Sequence, residues 1–258
     1  MRAPSWVAAS LAAAITLLLS VGVTAVATRH TEVHAAPAAA PATTTRPAPT
    51  PTPTRDPGAP PDASGVVTDA ASLVIHASPG GPVKVALPNP TAKGAPLVLL
   101  IVGKQPGWYQ VSLPIRPNGS TGWVPAEAVS VRDIPYQITV KQSTHTATLW
   151  HDGTLVRQFP TAVGAPGTES PDGLFFVDVI IDNRGGNTAY GPWVLGLSGF
   201  SNVYTTFEGG DAEVAFHGTN NDASVGRSAS HGCFRLHNTE VTSLAHTVTL
   251  GTPVYVSP

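Results

Sequence analysis

QITVKQSTHTATLWHDGTLVRQFP, residues 137–160, decides the fold class. Gln137-Ile138-Thr139-Val140 alternates polar and apolar side chains, the period of a strand with one buried face. Thr146 to Trp150 and Leu155 to Phe159 are two further strand-length runs, and His151-Asp152-Gly153 separates them. Asp-Gly accepts the positive φ that a tight hairpin turn requires, so an antiparallel hairpin is expected here. Downstream, Phe175 to Ile181 and Val254-Tyr255-Val256 are apolar runs of strand length. One short helix fits the pattern. Asn238 or Thr239 would be its N-cap, Glu240 lies in the first turn, and Val241, Leu244 and Ala245 form a narrow apolar face. Residues 135–257 therefore predict a β-rich domain with a minor helix.

The same cadence runs upstream over 66–132. Leu73 to Ile75, Val83 to Leu87, Leu97 to Val102 and Tyr109 to Val111 are short apolar runs between Pro, Gly and Asn breaks. Two Trp-bearing segments, around Trp108 and Trp123, are joined by the Gly-rich stretch Gly119 to Gly122. This block resembles a small bacterial SH3-like barrel, with Trp108 and Trp123 expected in its core. The fold class predicted for the whole chain is all-β.

The N-terminal quarter has a different character. Only Arg2 is charged before Arg29, and Trp6 to Ala27 is apolar or small. Residues 1–27 read as a signal peptide or a retained N-terminal membrane anchor; both readings place the rest outside the cytoplasmic membrane. Residues 28–65 are dominated by Ala, Pro and Thr, have no apolar periodicity, and read as a disordered spacer. The formal net charge of −2 offers no basic surface for nucleic acid. A single cysteine, Cys233, excludes an internal disulfide scaffold and a Cys-rich zinc module.

That cysteine lies in a dense segment. His217-Gly218-Thr219 is followed by Ser230-His231-Gly232-Cys233-Phe234-Arg235-Leu236-His237-Asn238. A thiol with its ordinary pKa of about 8.5 is a weak nucleophile at neutral pH. A nearby imidazole can take its proton and return it to a leaving amine. Gly232 lets the backbone present N–H groups to a developing oxyanion, and Arg235 offers a planar fork to a carboxylate. These are the parts of an acyl-transfer site.

The segment HGT…SHGCFRLHN resembles the YkuD-type L,D-transpeptidase family, in which His-Gly is followed after a gap by Ser/Thr-His-Gly-Cys, a hydrophobic residue, Arg and a nearby Asn. Phe159 to Gly164, Ser170 to Phe175 and Tyr190-Gly191-Pro192-Trp193 extend the resemblance over the whole second block. The resemblance implies a β-sandwich-like catalytic domain and a cysteine acyl-enzyme formed on peptidoglycan stem peptides in the cell wall, with no cofactor and no metal. It places Cys233 as nucleophile and His217 as general base. The amides around Gly232 would form the oxyanion hole, with Arg235 and Asn238 on the acceptor side. His231 is expected as a second catalytic or site-shaping histidine, and Ser230 is expected with Arg235 and Asn238 among the substrate-binding residues. Both histidines accompany the thiol, but His231 shares its tight turn, whereas His217 comes from a separate strand and can approach across the site. Three rival readings follow from the same residues. A metal-dependent hydrolase would use His217, His231, His237 and Cys233 as ligands. A sortase would need a Thr-Leu-x-Thr-Cys-type context, which is absent. A non-catalytic wall-binding protein would act through the SH3-like block.

Overall fold

The hairpin around Asp152-Gly153 is present. His151 pairs with Thr154, and the two turn residues take φ of 47° and 75°. The computed structural model describes Asp56 and residues 58–258, so the expectations for 1–27 and most of 28–65 lie outside the described residues. The first block contributes β1 (Ala63–Val67), β2 (Ser72–His76), β3 (Val83–Pro88), β4 (Val98–Gln105), β5 (Trp108–Ser112), β6 (Thr121–Pro125) and β7 (Ser130–Ile134). They form one sheet in the order β3-β2-β6-β5-β4-β1-β7. β1 starts at Ala63, so the last residues assigned to the spacer belong to this sheet, and the Ala63 side chain is buried in its core.

The second block contributes β8 (Tyr136–Lys141), β9 (Thr146–His151), β10 (Thr154–Pro160), β11 (Val163–Gly164), β12 (Gly173–Asp182), β13 (Trp193–Phe200), β14 (Glu213–His217), β15 (Ser228–Ser230), β16 (Phe234–Arg235), the helix α1 (Asn238–Thr247) and β17 (Pro253–Ser257). Eight of these strands form a mixed sheet in the order β10-β9-β8-β17-β12-β13-β14-β16, and β11 pairs with β15 in parallel. Side chains from both ends of the large sheet, among them Leu149 and Phe234, join Val241 and Leu244 of α1 in one buried cluster. The chain is all-β with a single α-helix among the described residues. That helix begins one residue earlier than a side-chain cap would place it. His237 is the N-cap and makes no side-chain capping bond, because the Asn238 carboxamide is engaged elsewhere.

β12 explains how the two blocks become one compact unit. Its run Leu174-Phe175-Phe176-Val177 does not alternate, because both of its faces are covered. Phe175 and Val177 enter the core of the second block, while Phe176 is fully buried in the core of the first. Burying a phenylalanine side chain contributes about 1.5–3 kcal/mol. The blocks also meet at Gly251, where φ is +87°, and a Cβ would stand 2.8 Å from Val98 Cγ1 and 2.9 Å from Ile134 Cδ1. Only glycine fits this approach. The core of the first block is aliphatic: Leu73, Ile75, Leu99, Val111 and Val124 fill it. Trp108 and Trp123 are half-buried and lie outside that core, contrary to the expectation from sequence. The Trp108 ring instead rests edge-on against His76, 5.3 Å away.

Candidate active site

Two neighbouring strands carry the site. β14 pairs in parallel with β16, with Phe216 opposite Phe234 and His217 opposite Arg235. Continuing that register backwards brings Cys233 beside Ala215, whose backbone N–H hydrogen-bonds the sulfur. Ala215 and His217 stand two residues apart and so project from the same face of β14. The apolar partners Phe216 and Phe234 point the other way, are fully buried, and stack with ring centroids 5.0 Å apart. Alternation along two short strands thus anchors one face in the core and leaves the other for chemistry.

The His217 ring is held in a defined state. Its Nδ1 lies 2.6 Å from the carbonyl oxygen of Gly218. A carbonyl can only accept, so Nδ1 carries the proton and Nε2 presents a lone pair. Burial lowers the imidazole pKa to about 4, helped by the Arg235 charge and opposed by the Gly218 bond. His217 is therefore neutral at physiological pH. Burial pushes the Cys233 thiol above its ordinary value, against the smaller lowering by the Ala215 N–H and Arg235. Thiol and imidazole are both uncharged at rest, so an attacking thiolate requires proton transfer to a base.

The turn before Cys233 is closed from within. Ser230 is buried; its Oγ donates to the Cys233 carbonyl at 2.6 Å and accepts from the Gly232 N–H at 3.1 Å. The Gly232 amide is thus engaged by Ser230. Its contribution is conformational: φ is +120°, while a Cβ would meet nothing closer than 3.8 Å. His231 is exposed, and its ring packs against Tyr204 and Phe207, at 6.3 and 5.5 Å between centroids. Arg235 forms no ion pair among the described residues. Asp222 instead faces His237 at 3.1 Å and Glu240 faces Arg157 at 2.6 Å. Asn238 does not face the thiol. Its Oδ1 accepts from the Thr219 N–H at 2.9 Å and so braces the loop that follows His217. Among the described residues no three His, Cys, Asp or Glu side chains are arranged to hold a metal ion.

Cys233 opens into a cleft of about 330 Å³. Val194, Gly196, Ala215 and Ile181 line it, and Tyr190 and Phe207 wall it. The Tyr190 ring contacts His217 edge-on at 4.9 Å, and its hydroxyl donates to Glu208 Oε2 at 2.6 Å. Burial and the Glu208 carboxylate push that hydroxyl well above its ordinary pKa, so it stays a donor. At the far end Lys93, from the first block, lies 2.7 Å from both Asp178 Oδ2 and Glu213 Oε2. Tyr190, Phe207, Glu208 and Lys93 are site residues that the sequence alone does not single out. Only Tyr190 carries a signal, through its place in the Tyr-Gly-Pro-Trp stretch. The others reach the cleft through contacts between distant segments.

A thiol in a cleft, with an oriented neutral imidazole on the neighbouring strand of an all-β scaffold, suits acyl transfer by a transpeptidase-class enzyme. A family model described as the L,D-transpeptidase catalytic domain, YkuD, matches residues 135–256. A Bacillus licheniformis protein named L,D-transpeptidase YkuD is 36% identical over 125 residues, covering 48% of this chain and 67% of the relative. A Bacillus subtilis protein named L,D-transpeptidase YqjB is 31% identical over 135 residues and is covered over 71% of its length. Among solved structures, an L,D-transpeptidase from Mycobacterium smegmatis is 19% identical, with 77% of this chain and all of that chain covered, at a TM-score of 0.40. An Enterococcus faecium L,D-transpeptidase is 20% identical, at a TM-score of 0.38; the chain spans half of its length. On the family model and the Bacillus relatives, the chain belongs to the YkuD L,D-transpeptidase family.

Proposed function

We propose that the protein is an exported peptidoglycan L,D-transpeptidase that forms an acyl-enzyme on Cys233. The observation that carries this reading is the orientation of His217, whose Nδ1–H is held by the Gly218 carbonyl so that Nε2 is left as the acceptor. In the first step the sulfur bonds to a carbonyl carbon of a stem peptide while its proton passes to Nε2 of His217. The oxyanion forms against the backbone amides of His231 and Cys233. Collapse breaks the C–N bond, the imidazolium protonates the departing amine, and a thioester remains. An acceptor amine then attacks the thioester, and its proton returns through His217 to the leaving sulfur. One amide bond replaces another and the thiol is restored, so the balance requires no cofactor. Arg235, which forms no ion pair among the described residues, would hold a substrate carboxylate.

The N-terminal apolar run supports export, by a cleaved signal peptide or a retained anchor. The Ala/Pro/Thr-rich segment then serves as a spacer into the cell wall, followed by the SH3-like first block and the catalytic domain. The test is intact mass of the purified protein incubated with a donor tetrapeptide. A covalent adduct on the wild type and none on Cys233→Ala supports the reading. An adduct on the variant refutes it, since no other thiol exists.

A further inference from the structure

The cleft has a second wall whose support comes from the other block. The loop 201–212, between β13 and β14, contributes Phe207 to the cleft and packs Tyr204 and Phe207 on His231. The loop has little burial of its own, and Glu208, Gly209 and Gly210 at its tip are exposed. Ordering such a segment costs about 1–2 kcal/mol of backbone entropy per residue, so a hold from outside the loop favours one conformation. Arg116, in the first-block turn between β5 and β6, provides one. Its Nη1 donates to the Ser201 carbonyl at 3.0 Å, and its Nη2 donates to the carbonyls of Tyr204 at 2.9 Å and Asp211 at 3.0 Å. Those acceptors lie on the outgoing and the returning limbs, so one guanidinium ties the two limbs together. The same group sits 4.8 Å over the Phe200 ring. Two residues on, Asn118 pairs with the Phe200 backbone in both directions, donating at 2.7 Å and accepting at 2.9 Å. Arginine suits such a clamp because it keeps its charge and its planar fork carries five donors.

We propose that Arg116 is a positioning residue for acylation of Cys233: it fixes the 201–212 loop as a wall of the cleft, which gives the first block a part in the reaction beyond spacing. The proposal rests on Cys233 being the nucleophile. Because the chain has one cysteine, two reagents report on the same atom. A carbapenem acylates the thiol and needs the shaped cleft; iodoacetamide alkylates it and needs only access. Rates with both are measured for the full chain and for Arg116→Ala, alongside thermal unfolding and hydrogen exchange of the loop amides. The expected result is acylation slower by about 10-fold, as misplaced substrate geometry produces, with alkylation faster and exchange accelerated within 201–212. Arg116→Gln, which keeps a donor, is expected to fall between, and it replaces the alanine variant if that one does not fold. Unchanged rates, or both rates falling together with the melting temperature, would overturn the proposal. A wild-type protein that iodoacetamide alkylates but no carbapenem acylates would refute the Cys233 reading itself, and the proposal with it.

Discussion

The two walls of the Cys233 cleft are held by different kinds of contact. On the thiol side, one stretch of chain from His217 to Asn238 supplies nearly everything. His217 bonds to the adjacent residue, Ser230 closes the turn around Cys233, and Asn238 braces Thr219. On the loop side, Phe207 and Glu208 are held by Tyr190 and by Arg116, which lies 85 residues before Ser201. The thiol side is set by local geometry and, on the proposed mechanism, governs proton transfer. The loop side is set by tertiary contacts and controls access and orientation. Substitutions on the two sides should therefore fail in different ways.

The largest effect is expected at His217. His217→Ala should slow acylation of Cys233 by at least ~10²-fold, the lower end of a general-base contribution. His231→Ala should cost less, because that ring faces the loop aromatics. Equal losses in the two variants, measured as acylation rate constants with a β-lactam, would erase the division between the walls. Next comes Gly232→Ala. The site has room for a methyl group but holds φ at +120°, and an L-residue in a sparsely populated region costs on the order of 1–3 kcal/mol. A lower melting temperature together with slower acylation is expected; an unchanged protein would mean that the turn relaxes without harm. The smallest effect is expected at the tip of the loop. Tyr190→Phe removes the hydroxyl that reaches Glu208 but keeps the ring against His217. Acylation should change by only a few-fold, because the ring against His217 stays in place, with iodoacetamide alkylation of Cys233 slightly faster. A loss as large as that of His217→Ala would move Tyr190 to the thiol side.

This division also explains what is visible in the sequence. Alternation and the Asp-Gly turn are enough for the β-rich class and the β9–β10 hairpin, because those signals are local. Cys233, His217 and Ser230 are legible because their partners lie close in the chain or in a motif at fixed spacing. Gly232 stands out in the sequence, but its bond to Ser230 and the positive φ of the turn are seen only in the structure. Asn238 fits the acceptor side by its motif, whereas it braces a loop, since a carboxamide gives no sign of which amide it will meet. Trp108 and Trp123 are expected in a core that aliphatic side chains fill. Arg116, Lys93 and Phe207 carry no signal, because an arginine in a Pro-Asn turn becomes a clamp only once that turn meets the end of β13. The unalternating run at Phe175-Phe176 reads as a strand, but its double burial follows only from having a block on each face.

The central claim is that a neutral His217 takes the proton of Cys233. Its most direct test is the second-order rate of Cys233 acylation by a β-lactam as a function of pH, which titrates groups of the free enzyme. His217 has its pKa lowered to about 4, so it loses its role as base only when it is protonated below that value. The rate should rise from the acid side with a midpoint near pH 4 and then stay level through neutrality, where the raised thiol remains protonated and the base does the activation. The acid limb should vanish in His217→Ala. A midpoint near 6.5, the value of an ordinary imidazole, or an acid limb that survives in His217→Ala, would show that another group takes the proton and would contradict the account.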